Sequence, residues 1–379
     1  MDFDYTDEQK ALKDEARRFL ADVAPLTVAR AALDDPGQGY DEELWRRIGE
    51  QGWCGAAVPE AYGGLEFGYV ELCALAEELG RAVAPVPFAS SVYQFAEALL
   101  VAGSEEQKTA LLPNVSTGSL IGTIAVSEGP GVLMPDRIAT RFSGGRLSGT
   151  KIPVIDGMAA NRAVALAMGD DGPQLVLADL AGPGVTREAV STVDPTRGAA
   201  RIVFDGAAAE PLGAGGDGLA GLARIQDRAA VLIAFEQLGG ADRALEMARD
   251  YALERYAFGR PIGSYQAIKH KLADVYVRNE VARANAYYGA WALSSDDDEL
   301  PLAAAAARVS ACAAYWLASK ENIQTHGGIG FTWEADCHLF YRRARHLGLV
   351  IGSPREWKRQ LTGRLEAKVA SEEAERMRA

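Results

Sequence analysis

Gly213-Ala214-Gly215-Gly216-Asp217-Gly218 decides the reading of this chain, because the sequence changes character on either side of it. Glycine at this density leaves the backbone too free for a helix or a strand, so the run reads as a linker. Beyond it, apolar residues recur at helical spacing almost to the end. They predict helices at about Leu222–Tyr256, Ser264–Leu293, Pro301–His326 and Glu334–His346, then a terminal helix from Pro354. Between about Gly118 and Gly213 the runs are short and β-prone: Leu120–Val126, Arg146–Thr150, Arg162–Ala167, Leu175–Ala178 and Arg201–Phe204, broken by Gly, Pro and Asp. From Thr6 to about Thr117 the pattern is helical again. Leu12, Ala16, Phe19, Leu20 and Val23 share one face, after a Thr6-Asp7-Glu8-Gln9 start that offers an N-cap and an N3 partner. Further helices fit Asp41–Gln51, Tyr69–Leu79 and Phe88–Val101. The order is α, then β, then α, with expected domains 1–117, 118–213 and 214–379.

Composition narrows the function classes. Of 379 residues 48% are apolar and 24% charged, an ordinary globular balance. Fifty-two acidic against 39 basic residues give a net charge of −13, which repels nucleic acid and anionic lipid. Cys54, Cys73, Cys312 and Cys337 stand far apart, which signals neither a disulfide framework nor a zinc site. The start, Met1-Asp2-Phe3-Asp4-Tyr5, lacks the basic and apolar regions of a secretory signal, so a cytoplasmic location is expected. The most apolar window, Leu300–Ala318, is mostly alanine and contains Arg308, so it reads as a buried helix and not a membrane span. His270, His326, His338 and His346 form no metal-ligand spacing, and no metal is expected.

One charge stands in an odd place. From Ala229 to Ala241 the only ionisable residue is Glu236, on the helical face of Leu232, Ile233 and Gly240. Burial disfavours the charged carboxylate and is one way to make a general base that works near neutrality; the alternative is a Glu paired with an Arg of a neighbouring helix. Two dense segments follow. Arg255-Tyr256-Ala257-Phe258-Gly259-Arg260 runs on to Gln266, placing Arg donors, an aromatic ring and an amide around a turn. Gln324-Thr325-His326-Gly327-Gly328-Ile329-Gly330 closes a helix with glycines that allow close approach of a ligand. Each is either a pyrophosphate cradle or a helix cap with its turn. Arg342, Arg343, Arg345 and Lys358-Arg359 form a basic cluster, read as a solvated face or a contact for phosphates or a partner subunit.

Together these segments resemble the acyl-CoA dehydrogenases over nearly the whole chain. The likeness rests on Val58-Pro59-Glu60-Ala61-Tyr62-Gly63-Gly64, Leu147-Ser148-Gly149-Thr150-Lys151, Arg255–Gly259 with Gln266, and Gln324–Gly330. It implies an α+β multidomain fold: an N-terminal α-helical domain, a middle small β-barrel or sandwich domain and a C-terminal four-helix-bundle domain. It also implies FAD, an acyl-CoA substrate, re-oxidation by an electron-transfer flavoprotein, and a homo-oligomer or a heterotetramer with a homologous chain. By resemblance Arg255 binds the FAD diphosphate of the neighbouring subunit and Phe258 packs near the adenine. Gln266 sits at the matching position of the next helix, and Gln324, Gly327 and Gly328 hold the adenosine diphosphate moiety across the dimer interface. Val126 and Ser127 fall at flavin-contacting positions, and Pro153 and Ile155 stand where the family usually has Trp and Thr beside the flavin ring.

The departures concern the base. Where the family has Glu-Gly-Thr, counting on from Arg342-Arg343-Ala344 reaches Ile351-Gly352-Ser353, and the alternative position on the helix before the Arg-x-x-Phe-Gly motif aligns with Ala229. Glu236 lies two turns beyond Ala229, in an Ala-x-Glu-Gln-x-Gly-Gly setting that resembles actinobacterial dehydrogenases of steroid side chains. The expected reaction is therefore Cα-proton removal by Glu236 with hydride passing from Cβ to flavin N5. The rival readings are a half-site subunit of a heterotetramer and a flavin oxidase or monooxygenase on the same fold.

Overall fold

The computed structural model of this chain describes residues 5–35, 39–131 and 133–376; the acidic Met1–Asp4 start lies outside them. It opens with α1 (Asp7–Val23), α2 (Leu26–Asp34), α3 (Glu42–Glu50), α4 (Tyr69–Arg81), α5 (Glu97–Ala102) and α6 (Glu105–Ser116). Local chemistry sets their starts. Thr6 Oγ1 accepts from the Gln9 N–H at 3.3 Å while Gln9 Oε1 accepts from the Thr6 N–H at 2.9 Å, the reciprocal cap expected there. Asp41 accepts from the Leu44 N–H at 2.7 Å, and Ser104 with Gln107 forms a second capping box.

One expected helix takes a different form. Over Phe88–Val101 the chain winds as a π-helix, Ala89–Ala96, before narrowing into α5. Its polar side chains bond outside the ordinary helical ladder: Ser90 Oγ donates to the Pro87 carbonyl at 3.0 Å, and Ser91 Oγ accepts from the Gly122 N–H at 2.8 Å. Such local bonds compete with the α-helical pattern.

The strands are β1 (Gly122–Ala125), β2 (Arg141–Ser143), β3 (Arg146–Ile155), β4 (Arg162–Gly169), β5 (Gly172–Asp179), β6 (Val185–Ala189) and β7 (Ala199–Pro211). They close into a barrel: β4 pairs β5, β5 pairs β7, β7 pairs β3, β3 pairs β2, and β2 returns to β4 through Arg141 and Met168. Closure removes the open edges of those five strands. β1 adds to β4 in parallel and β6 to β7 antiparallel. β2 and β6 escaped the sequence reading because each is short and mostly exposed, with too few apolar residues to show a period.

After the linker come α7 (Gly218–Glu254), a hairpin β8 (Tyr256–Ala257) and β9 (Arg260–Pro261), then α8 (Gln266–Ser294), α9 (Leu300–His326), α10 (Cys337–Leu347) and α11 (Pro354–Arg376). α9 is long and apolar enough to cross a membrane by length and composition, yet 56% of its most apolar window is buried inside the protein. The hairpin is not in the helical reading of this region. Phe258 and Gly259 form its two-residue turn with φ of 51° and 80°, as a right-twisted hairpin requires.

The chain forms two compact units. One holds Phe19–Leu72 and Ala84–Ala229, with a core in which Phe95, Leu99, Leu112 and Val115 meet Val164, Leu166, Leu175 and Leu177 of the barrel. The other holds the residues up to Arg18, Cys73–Val83 and those from Ala230 onward. There the start of α1 is tied in by buried charge: Lys13 Nζ lies 2.6 Å and Arg283 Nη1 2.9 Å from the Glu77 carboxylate. Burial alone would raise Glu77, but these two cations hold it below the usual carboxylate range.

Candidate functional site

α7 supplies the first group. Its residues Ala229 to Phe235 are fully buried, and Glu236 follows at 3% exposure. Here α7 and α4 cross with almost no side chain between them: a Cβ on Gly80 would come 1.8 Å from the Glu236 carbonyl, and one on Gly239 would come 1.7 Å from that of Glu77. Gly239 thus lets another backbone reach the turn that carries Glu236, and Gly240 admits the Tyr315 ring.

A counterion waits on α10. Arg343 is 0% exposed, its Nη1 lies 3.4 Å from Glu236 Oε1, and its Nη2 donates to the Val83 carbonyl at 3.4 Å. The solvated-face reading of the basic cluster is therefore wrong for Arg343, which is buried between half-buried Arg342 and exposed Arg345 and points into the bundle. A second buried guanidinium, Arg308 of α9, donates to Gln237 Oε1 at 2.8 Å and to the Leu347 carbonyl, while Gln237 Nε2 reaches Cys312 Sγ at 3.4 Å. Burial lowers Arg308, opposed by the Cys312 thiol and the Glu236 carboxylate. Both sequence readings of Glu236 are visible at once: a desolvated carboxylate, and one paired with an Arg of a neighbouring helix. Arg308 was legible only as the lone charge in an alanine run. Nothing in the sequence singled out Arg343 from Arg342 and Arg345.

The second group gathers at one end of the bundle. The Tyr251 ring stacks on His326 with centroids 4.2 Å apart, which joins the end of α7 to the end of α9. Arg255 follows the one and Gln324 precedes the end of the other, both exposed. The Arg255 carbonyl accepts from the Ile262 N–H at 2.8 Å, and the Tyr265 hydroxyl donates to the Ala257 carbonyl at 2.9 Å, so the hairpin is fastened to the start of α8 where Gln266 sits. Phe258 projects from the hairpin tip at 98% exposure with a left-handed φ. A bulky aromatic held so is costly unless something covers it. A Cβ on Gly327 or Gly328 would meet nothing within 4 Å, which leaves an open cradle beside Gln324. Guanidinium, amide, uncovered ring and open glycine backbone suit a dinucleotide diphosphate with its adenine, so these residues fit the nucleotide half of FAD.

The third group lies on the barrel. Ser127 O accepts from the Ile152 N–H at 2.8 Å, and the Ile155 carbonyl accepts from Thr123 Oγ1 at 2.7 Å, which brings Val126 and Ser127 beside Pro153 and Ile155. A clamp missed in the sequence braces this place. Lys151 Nζ, its side chain 0% exposed, donates to Glu128 Oε1 at 2.7 Å and to the Val126 carbonyl at 3.1 Å; Glu128 also accepts from the Ala139 and Thr140 N–H groups at 2.8 and 3.0 Å. Burial raises Glu128, but Lys151, Thr140 and the backbone donors bring it down to about 2. Burial lowers Lys151 despite Glu128. The Glu128 value lies below its unfolded one of 4.5, so the stabilisation is full above pH 4.5 and vanishes as the pH falls toward about 2. Corrected amide exchange at Ala139 and Thr140 is therefore expected to accelerate across that window. In Glu128→Gln it is expected to be fast already at neutral pH; slow, pH-independent exchange in both proteins would refute the clamp.

No group of three or more His, Cys, Asp or Glu among the described residues is placed to hold a metal. Comparison with known proteins adds the following. Residues 6–119 match the family model of the acyl-CoA dehydrogenase N-terminal domain, and residues 216–360 that of the C-terminal domain. Among curated proteins, acyl-CoA dehydrogenase IpdE2 of Mycobacterium tuberculosis is 35% identical over 94% of this chain and 96% of its own. Acyl-CoA dehydrogenase FadE34 of the same organism is 33% identical over 96% of this chain, which spans only 49% of FadE34. Among solved structures, a variant of the Tcur3481-Tcur3483 steroid ACAD superposes with TM-score 0.86 at 33% identity, covering 96% of this chain and 99% of its own. The ChsE4-ChsE5 complex from Mycobacterium tuberculosis gives 0.88 at 27% identity, covering 97% and 99%.

Proposed function

The chain belongs to the acyl-CoA dehydrogenase family, and on that footing we propose that it oxidises an acyl-CoA thioester to the trans-2-enoyl-CoA with Glu236 as the base. One observation carries this reading: the family's usual base position is occupied by Ile351-Gly352-Ser353, while a buried carboxylate stands on the helix that leads into Arg255 and Phe258. FAD, when bound, supplies the acceptor for the Cβ hydride and passes the electrons on to an electron-transfer flavoprotein. The chain's own residues do the rest. Arg255, Gln324 and the open Gly327-Gly328 backbone hold the FAD diphosphate of a neighbouring subunit, with Phe258 and Gln266 beside it. Val126, Ser127, Pro153 and Ile155 line the flavin ring. Glu236 removes the Cα proton, and the shifted carboxylate suits a bulky acyl group of steroid or branched type; steroid is the class named for the Tcur3481-Tcur3483 relative.

The division 1–117, 118–213 and 214–379 and a cytoplasmic location belong to the same proposal. So does a heterotetramer with a homologous chain, favoured by two findings: the similar ChsE4-ChsE5 structure is a complex, and FadE34 carries the matching region within about twice the length.

The test is flavin content followed by anaerobic mixing with a steroid-chain acyl-CoA. One flavin per chain, bleached by substrate and regenerated by an electron-transfer flavoprotein, is the expected result. Turnover sustained by dioxygen alone would replace it with the oxidase reading, and flavin bound only with a co-expressed homologue would establish the heteromer. Gly328→Ala sharpens the assignment. Gly328 has ordinary helical angles and open space around its missing Cβ, so the variant is expected to fold with unchanged stability and lose flavin affinity about tenfold. Unchanged affinity would remove Gly328 from the site.

A further inference from the structure

A base buried as deeply as Glu236 has a difficulty that the proposed reaction leaves open. Without compensation, a carboxylate at 3% exposure would take up a proton and stay neutral near pH 7, in which form it cannot accept one from substrate. The surroundings of Glu236 contain a specific remedy. We propose that Arg343 is a positioning residue for Glu236, holding its carboxylate charged and aimed from the α10 side. The inference rests on Glu236 being the base.

Geometry carries the argument. Arg343 Nη1 meets Glu236 Oε1 at 3.4 Å, longer than the 2.6 to 2.9 Å of the structural ion pairs Lys13–Glu77, Arg283–Glu77 and Arg228–Glu97. A tight bidentate pair would hold the carboxylate too stably to be a useful base; a looser one in a dry site keeps it ionised at smaller loss of basicity. Arg343 is itself anchored, through Nη2 to the Val83 carbonyl. The guanidinium is fully buried, so solvent does not screen it.

Other charged and titratable groups face this turn from each neighbouring helix. On α4, Glu77 is bound by Lys13 and Arg283, Glu78 by Arg17, and Arg81 by Glu246. On α8, Arg283 is shared between Glu77 and Asp242, and Tyr287 packs edge-on against Phe235 and Tyr5. On α9, Arg308 is engaged by Gln237 and Leu347 with Cys312 and Tyr315 nearby in the same helix, and adds a more distant positive charge. On α10, His346 lies one turn beyond Arg343 and is buried. Arg343 thus contacts Glu236 directly, and Arg308 supports it.

The experiment is an infrared titration of the Glu236 carboxyl in the flavin-loaded protein, taken as the difference between wild type and Glu236→Gln, with the acid limb of kcat/KM measured alongside. Wild type is expected to show an ionised Glu236 at pH 7. In Arg343→Met the carboxyl midpoint and the acid limb are both expected to rise by about one to three pH units. Arg343→Lys, which keeps the charge, is expected to restore ionisation at pH 7. A protonated Glu236 in the wild type, or an unmoved midpoint in Arg343→Met, overturns the proposal. Should Arg343→Met fail to fold, Arg343→Gln, which keeps a hydrogen-bond donor without the charge, is titrated in its place, with the same rise expected and an unmoved midpoint overturning the proposal. Full turnover by Glu236→Gln would instead sink the assignment of the base, a failure that the carboxyl titration does not share.

Discussion

Glu236→Gln is expected to lower kcat/KM for acyl-CoA oxidation about 1,000-fold while flavin content and substrate affinity stay near wild type. Gln has nearly the same volume and still accepts a hydrogen bond from Arg343, so the bundle keeps its packing, but the amide cannot take a proton. Loss of general-base catalysis typically costs two to four orders of magnitude, about 10²–10⁴-fold. The direction of the split matters: a transition-state contribution removes kcat and kcat/KM together and leaves binding intact. Stopped-flow reduction of the bound flavin reads the chemical step directly. A fall below tenfold would move the base to another residue or to a partner chain, since neither Ala229 nor Ile351-Gly352-Ser353 offers a carboxylate.

Much of this was written in the sequence, for identifiable reasons. The α–β–α order was legible because the glycine run at 213–218 separates β-prone from helical stretches, and because Thr6 with Gln9 announces the first helix by its cap. Glu236 stood out because a lone carboxylate in an apolar run needs a partner. What stayed hidden depended on distance in the chain. Arg343 meets Glu236 across 107 positions, and Lys151 meets Glu128 across 23, so neither pair leaves a local pattern. Arg342, Arg343 and Arg345 look alike in sequence. Only the phase of α10 turns one of them inward and sets the others over Trp333 and Trp316. The π-helix was equally unreadable, since its bonds run from Ser91 to β1 and exist only once the barrel has formed. The Phe258 turn was half legible: Phe-Gly suggested a turn, but its exposure and left-handed angle required coordinates.

Gly239→Ala tests the scaffold that holds the base, and here two opposing effects must be weighed. In an unencumbered helix interior, replacing Gly by Ala stabilises by about 0.5–1 kcal/mol, because Ala loses less backbone entropy. Gly221, on the same helix, provides that baseline: its added Cβ would sit 3.4 Å from Leu175 Cδ1, an ordinary contact, so Gly221→Ala is expected to be neutral or mildly stabilising. At Gly239 the added Cβ would come 1.7 Å from the Glu77 carbonyl oxygen and 2.9 Å from the Arg81 nitrogen. Backbone cannot rotate aside as a side chain can, so α4 and α7 must separate. Overpacking of this kind costs about 3 kcal/mol and overwhelms the propensity gain. Gly80→Ala should behave alike, because its Cβ meets the Glu236 carbonyl from the opposite helix at 1.8 Å. Urea midpoints of the three variants check the ordering, with Gly239→Ala and Gly80→Ala well below wild type and Gly221→Ala at or above it. Separation of the helices also shifts the turn that carries Glu236 relative to Arg343, so turnover should fall even where the variants remain folded. Wild-type midpoints for both crossing glycines would mean that α4 and α7 do not approach this closely, and the rigid placement of Glu236 would lose its support.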